Sequence, residues 1–347
     1  MDQKEKIKKL LDKSELLFDK KELNEVINTS DKILSIDPKC IKAMHNKAYA
    51  LYSLGEIQNA IELIEYVLDI SPKDEKGLYY KGLFFYEMDE SKISLKITQE
   101  LLNINPKNIE ALTLKGIILL KLNKAIDAIE CYDMALKMDC KAYLPLLNKG
   151  IALYHLKHYN DAIKVLNIAI KINLKNPNGY YYRGLVLKSL NNYKGALNSI
   201  NKALSMEPEN LSYLFDKGLL FYALGMFKES LKCYDKILEF DPNYLEAWNN
   251  KGHIYGDYLE DYFNAINCVD EVLKRDANFP ESLYMKSRFI RKQANQEARK
   301  LEKKLISLKY DKIFLEEQLE YNLIHDIKLL KKFGYDLKFL HNQYNLI

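Results

Sequence analysis

The chain has 347 residues, 48% hydrophobic and 29% charged, a balance ordinary for a folded protein and too apolar for disorder. Its 52 basic and 48 acidic residues leave a net charge of +4, which by itself points to neither nucleic acid nor a membrane. With only 13 glycines and 8 prolines, a fold of strands and turns is disfavoured and helices are favoured.

Residues 1–20 carry a charge every two or three positions and lack the apolar core of a secretory signal, so a cytoplasmic location is expected. No apolar run approaches the roughly 20 residues of a membrane span, and no membrane partner is expected. Glycine then sets a ruler. Gly82, Gly116, Gly150, Gly184, Gly218 and Gly252 each lie 34 residues after the last, and each follows a basic residue (Lys81, Lys115, Lys149, Arg183, Lys217, Lys251). Pro38, Pro72 and Pro106 keep the same interval, as do Pro208 and Pro242.

One unit, from Ile109, shows the pattern. Leu112, Gly116 and Leu119 share one face of a first helix, and Ala128, Tyr132 and Ala135 one face of a second. Asn123 ends the first helix. Gly55, Asn191 and Gly225 hold the equivalent place, and all tolerate a left-handed backbone. Asp or Asn before Pro closes a unit, as in Asn105-Pro106 and Asp241-Pro242. Glycine inside a helix costs about 1 kcal/mol relative to alanine, so its recurrence implies close helix approach. The alanines Ala60, Ala128, Ala162 and Ala196 of the second helices are expected opposite it. At the C-terminal end a ninth first helix opens at Pro280 and meets no Gly or Pro until Gly334, so it is expected to run on toward Leu308 and cap the array. Leu301, Leu305, Leu308, Leu315 and Leu319 then form a heptad-like stripe. Packing on the last repeat, homo-oligomer formation through these C-terminal helices and folding back into the groove all stay open.

The pattern resembles the tetratricopeptide repeat (TPR), W-x2-L-G-x2-Y, then A-x3-F, then A, then P. The unit at Leu245 matches best with Trp248, Gly252, Tyr255 and Ala265, and has one extra residue before Ala265. The leucine before glycine is replaced by Lys or Arg throughout, and proline by Cys140, Leu174 and Ala277 in three units. The resemblance implies an all-α, right-handed α-solenoid of about eight helix-turn-helix repeats starting near residues 7, 41, 75, 109, 143, 177, 211 and 245. The expected division is an array over 1–290 and a capping helix with a C-terminal helical extension over 281–347. The implied function is a non-catalytic protein–protein interaction scaffold that takes an apolar or amphipathic segment of another polypeptide in its groove.

At 100° per residue, unit positions 2, 5, 9 and 12 of a first helix point away from the second helix, toward the groove of such arrays. Repeats two and three place Tyr49, Tyr52, Tyr79, Leu83 and Tyr86 there. Repeats four to six place Ile117, Leu147, Ile151, Tyr154, Tyr181 and Leu185, and repeats seven and eight Phe215, Leu219, Tyr222 and His253. Asn148 and Asn250 stand beside them at position 6. A merely solvated face would be Lys and Glu, so this strip is read as the partner-binding groove. Some TPR proteins clamp a chaperone's C-terminal carboxylate with two Lys, two Asn and one Arg. The repeats that precede Asn46, Asn148 and Asn250 offer Leu11 and Glu15, Thr113 and Ile117, or Phe215 and Leu219 instead, so that mode is not supported.

No phosphate-binding glycine loop or G-x-S-x-G elbow occurs. His155 and His158 lack metal-site spacing, and Cys131, Cys233 and Cys268 share one second-helix slot as small core residues. No enzyme activity, cofactor or metal is expected. The alternative reading is a nucleic-acid-binding helical repeat that uses the basic 286–304 helix. From Arg291 onward 12 basic residues meet 8 acidic ones, so this part carries the whole net charge.

Overall fold

The computed structural model describes residues 3–278 and 280–307. These form 17 helices and, among the described residues, no strand. The first six hairpins are α1 (Gln3–Asp19) with α2 (Leu23–Leu34), α3 (Ile41–Ser53) with α4 (Ile57–Ile70), and α5 (Glu75–Glu87) with α6 (Ser91–Ile104), then α7 (Ile109–Lys121) with α8 (Ala125–Met138), α9 (Tyr143–His155) with α10 (Tyr159–Ile172), and α11 (Pro177–Ser189) with α12 (Tyr193–Leu204). Next come α13 (Leu211–Ala223), α14 (Phe227–Phe240), α15 (Leu245–His253), a π-helical segment (Ile254–Tyr258), α16 (Tyr262–Arg275) and α17 (Pro280–Ser307). Within the first unit α1 to α12 each pack on their sequence neighbours, and within the second α14 packs on α15, α15 on α16 and α16 on α17. The chain divides into two compact units, 1–213 and 214–347, and the division falls within α13. None of the described helices is long and apolar enough to cross a membrane.

Each hairpin turns on one left-handed residue. Lys21, Gly55, Asp89, Asn123, Lys157, Asn191 and Gly225 all have φ between 58° and 86° and follow one another at 34 residues. The eighth, Glu260 at φ 53°, comes one residue late. The extra residue of this repeat is taken up just before it as the π-helical segment Ile254–Tyr258, the way helices commonly absorb an insertion. The unit boundaries are also locally closed. The side chains of Asp37, Asn105, Asp139, Asn173, Asp241 and Asp276 each accept from the backbone N–H two residues on, at 2.9–3.1 Å. This turn explains Asp or Asn before Pro, and it persists at Asp139 and Asn173, where proline is lost.

The recurrent glycine makes room for a larger group than the alanine expected opposite it. A Cβ on Gly116 would lie 2.3 Å from Tyr132 Cε1; on Gly150, 2.6 Å from Leu166; on Gly184, 2.7 Å from Ile200; on Gly218, 2.7 Å from Tyr234. The large side chain one turn beyond the alanine therefore seats directly on the glycine backbone, and Tyr132 and Tyr234 are fully buried. In repeats three and seven a serine replaces the alanine: Ser94 and Ser230 donate to the carbonyls of Gly82 and Gly218 at 2.6 and 2.8 Å.

The basic residue before glycine has its own partner 16 residues earlier, on the preceding second helix. Lys47 meets Asp31 at 2.6 Å, Lys81 meets Glu65 at 2.8 Å, and Lys115 donates to Gln99 at 2.7 Å. Lys149 pairs with Asp133, and Lys251 with Asp235. Each half-exposed pair is worth at most about 1 kcal/mol, so the row fixes register between repeats more than it adds stability. The same rule identifies α17. Lys286 meets Asp270 at 2.7 Å, and Met285 and Phe289 are buried on α16. Thus α17 begins as a ninth first helix. Leu308, Leu315 and Leu319 and the rest of 308–347 lie outside the described residues, as do the side chains of Leu301 and Leu305.

Gly116→Ala should destabilise the fold by about 1–3 kcal/mol through overpacking, read as a lower Tm, and adding Tyr132→Leu should recover part of the loss. Lys157→Gly removes a side chain at φ +62° and should raise stability by about 0.5–1 kcal/mol in denaturant unfolding.

Candidate partner-binding surface

The outward positions of the first helices form a mixed surface. In the first unit Tyr49 is exposed, and Tyr52, Tyr79, Leu83, Tyr86, Ile117, Tyr154 and Tyr181 are half-buried. Leu147, Ile151 and Leu185 are buried, the first two within one core cluster, so their area is already spent inside the unit. Asn148 is half-buried and donates to the Leu144 carbonyl of its own helix at 2.9 Å. In the second unit Phe215, Leu219, Tyr222, Asn250 and His253 are half-buried.

Several of these rings lean on the next first helix or on the residue that caps it. Tyr49 stacks on Tyr80 with centroids 5.5 Å apart, and Tyr52 on Phe84 at 4.9 Å. Tyr181 meets Tyr213 at 4.5 Å, and Phe215 meets Tyr244 at 5.6 Å. Tyr80, Phe84, Tyr213 and Tyr244 were not among the outward positions. Their signal lay in the neighbouring repeat, which a one-helix wheel does not include. Lys121 stands 4.7 Å over the ring of Tyr86, a cation–π contact. Burial, helped by Glu87, pushes the Tyr52 phenol up to about 12, and burial also raises Tyr79 and Tyr86. These hydroxyls are therefore neutral donors near pH 7.

Other polar residues are engaged. His253 Nδ1 lies 3.3 Å from Asp257 and Nε2 3.4 Å from Glu281. Asp257 also meets Arg288 at 2.6 Å and Lys292 at 3.4 Å, so three basic side chains of the 286–304 run, with Lys286, are bound to repeat eight. His155 and His158 are exposed, and no group of three or more His, Cys, Asp or Glu suited to a metal ion occurs among the described residues. Cys131, Cys233 and Cys268 are buried free thiols, and burial pushes Cys233 up to about 11 and Cys268 up to about 12.

Family models agree with this architecture. A tetratricopeptide-repeat model matches residues 177–210 and 245–279, and a second TPR model matches 218–257. The chain is built of tetratricopeptide repeats. A third model, for subunit 3 of the anaphase-promoting complex (cyclosome), matches residues 53–135. Among solved structures, this TPR chain is similar to a crystal structure of the APC/C hetero-tetramer Cut9–Hcn1, with 17% identity and a TM-score of 0.65 over 81% of this chain and 55% of the other. It thus spans about half the length of that protein. It is also similar to PilF of Pseudomonas aeruginosa (17% identity, TM-score 0.55, 63% of this chain and 100% of the other). A TPR protein of Parabacteroides merdae gives 15% identity and a TM-score of 0.53 over 72% of this chain and 98% of the other. At these identities the likeness is one of fold. No curated protein sequence matches the chain.

One TPR groove position has become a core group. His45, at position 5 of repeat two, is 5% exposed, and its Nε2 lies 2.8 Å from Asp74 Oδ1 without hydrogen-bond alignment. Asp74 Oδ1 is already the cap of α5, accepting from Gly77 N–H at 2.6 Å. Burial lowers the His45 pKa, Asp74 opposes the shift and Lys76 adds to it. A folded-state value below the unfolded one, about 6.5, means that the unfolded chain binds more protons. The contribution of His45 is therefore whole above pH 6.5 and is lost as pH falls toward the folded-state value. Melts between pH 7.5 and 5.5 should show a steeper acid loss in the wild type than in His45→Asn; equal slopes would refute the assignment.

Proposed function

We propose that this protein is a non-catalytic scaffold whose first-helix faces hold an apolar or amphipathic segment of another polypeptide, most simply a helix. The carrying observation is the row of half-buried tyrosines at outward positions, above all Tyr86, Tyr154 and Tyr181 in the first unit. A tyrosine ring adds apolar area and a donor at small entropic cost, and a ring already leaning on its neighbour loses less freedom on binding. Leu147, Ile151 and Leu185 support these rings from inside rather than offering surface. The exposed thiol of Cys140 suits a reducing compartment such as the cytoplasm.

The full chain should capture a polypeptide from its source cell, identified by mass spectrometry of the co-purified material. Replacing Tyr86, Tyr154 and Tyr181 by Ser should cut that capture by about tenfold or more while the helical circular-dichroism signal is kept. Undiminished capture by the triple variant would reject the proposal.

A further inference from the structure

The outer rows of two second helices carry a duplicated surface motif. On α8, Met134 and Met138 stand one turn apart and are 45% and 47% exposed. On α10, Ile168 and Ile172 hold the same positions 34 residues later and are 47% and 38% exposed. Just beyond, Cys140 and Leu174 replace the proline of other repeats, and both are exposed. Lys137, Lys141, Lys171 and Lys175 flank these groups and are exposed too. The two repeats thus display Lys-Met-Asp-Cys-Lys at 137–141 and Lys-Ile-Asn-Leu-Lys at 171–175. In other repeats the place of Met138 stays apolar (Ile70, Ile104, Met206, Phe240), but that of Met134 is Tyr66 in repeat two, Glu100 in repeat three and Lys202 in repeat six. A pair of exposed Met or Ile side chains one turn apart therefore stands only on α8 and α10 among the described second helices.

We propose that the outer faces of α8 and α10 form a second docking surface, distinct from the first-helix strip, for an amphipathic helix with acidic residues beside its apolar face. Apolar side chains exposed singly need no explanation, but the same cluster in consecutive repeats marks an interaction site. Methionine and isoleucine at i and i+4 match the ridges of a helix, and methionine adapts to an irregular partner. The lysine rim selects for acidic flanks by charge complementarity. A second copy of this face would set lysine against lysine, which disfavours self-association there. Asp139, exposed between Met138 and Cys140, disfavours an anionic lipid surface.

The test uses the full chain and two labelled synthetic peptides of about five helical turns, with the same leucine face and either Glu or Lys flanks. Anisotropy should show the Glu peptide binding about tenfold or more tightly than the Lys peptide, and less tightly as salt rises. Met138→Ser with Ile172→Ser should cost about tenfold or more, and Lys137→Glu with Lys171→Glu should reverse the peptide preference. The Glu peptide should also slow alkylation of Cys140. All four substituted side chains are exposed, so helicity and Tm should be retained. Binding should persist when Tyr86, Tyr154 and Tyr181 are replaced by Ser, which separates this site from the first-helix strip. Failure of both peptides to bind, equal binding of the two, or indifference to Met138→Ser with Ile172→Ser would overturn the proposal. So would attachment to phosphatidylserine vesicles without peptide binding, or a wild-type dimer dissolved by those same substitutions.

Discussion

A large side chain resting on a bare backbone holds four of these hairpins, in repeats four to seven, together. Where glycine omits its Cβ, Tyr132, Leu166, Ile200 or Tyr234 of the second helix comes within 2.3–2.7 Å of the position that the missing atom would fill. The helix-propensity cost of the glycine is about 1 kcal/mol, and the burial of a Leu- or Tyr-sized group that it permits is worth about 1.5–3 kcal/mol. The balance favours the close hairpin in these four repeats. Once the hairpin distance is fixed, the outward positions of the first helix are fixed as well, and with them the surface proposed for a partner.

A second constraint sets one repeat against the next. The lysine that displaces the family's leucine reaches back 16 residues to a carboxylate or amide on the preceding second helix. Individually these contacts are weak, because both ends keep access to water. Repeated at one interval, they penalise any slip in which a lysine would face an apolar side chain. The row continues into α17 through Lys286 and Asp270, and the Asp257 cluster fastens the same helix a turn further on. The positive charge of this run is thereby partly spent on the protein itself, which weakens the case for a nucleic-acid partner.

The two proposed surfaces use different physics. The first-helix strip is aromatic, half-buried and self-supporting, so it suits a chain that lies along it with modest ordering cost. The outer faces of α8 and α10 are aliphatic, exposed and rimmed by lysine, so they suit a partner selected by charge as well as by apolar area. Having both would let one scaffold hold two polypeptides at once, as effective concentration arguments for adaptors require.

The sequence alone determined the period, the hairpin turns at Gly55, Asn123, Asn191 and Gly225, the buried faces through Leu112 and Ala128, and the long helix from Pro280. All of these follow from local rules: 3.6-residue periodicity, left-handed tolerance and proline geometry. Tertiary structure decided what each glycine faces, why lysine stands where leucine was expected, and which outward residues stay accessible. Leu147, Ile151 and Leu185 look like groove residues on a single helix wheel, yet neighbouring helices bury them. Burial depends on the angle and distance between helices distant in sequence, and a one-helix pattern contains neither. The left-handed turns at Lys157 and Glu260 were hidden for the converse reason, since hairpin closure imposes there a conformation that their side chains do not favour.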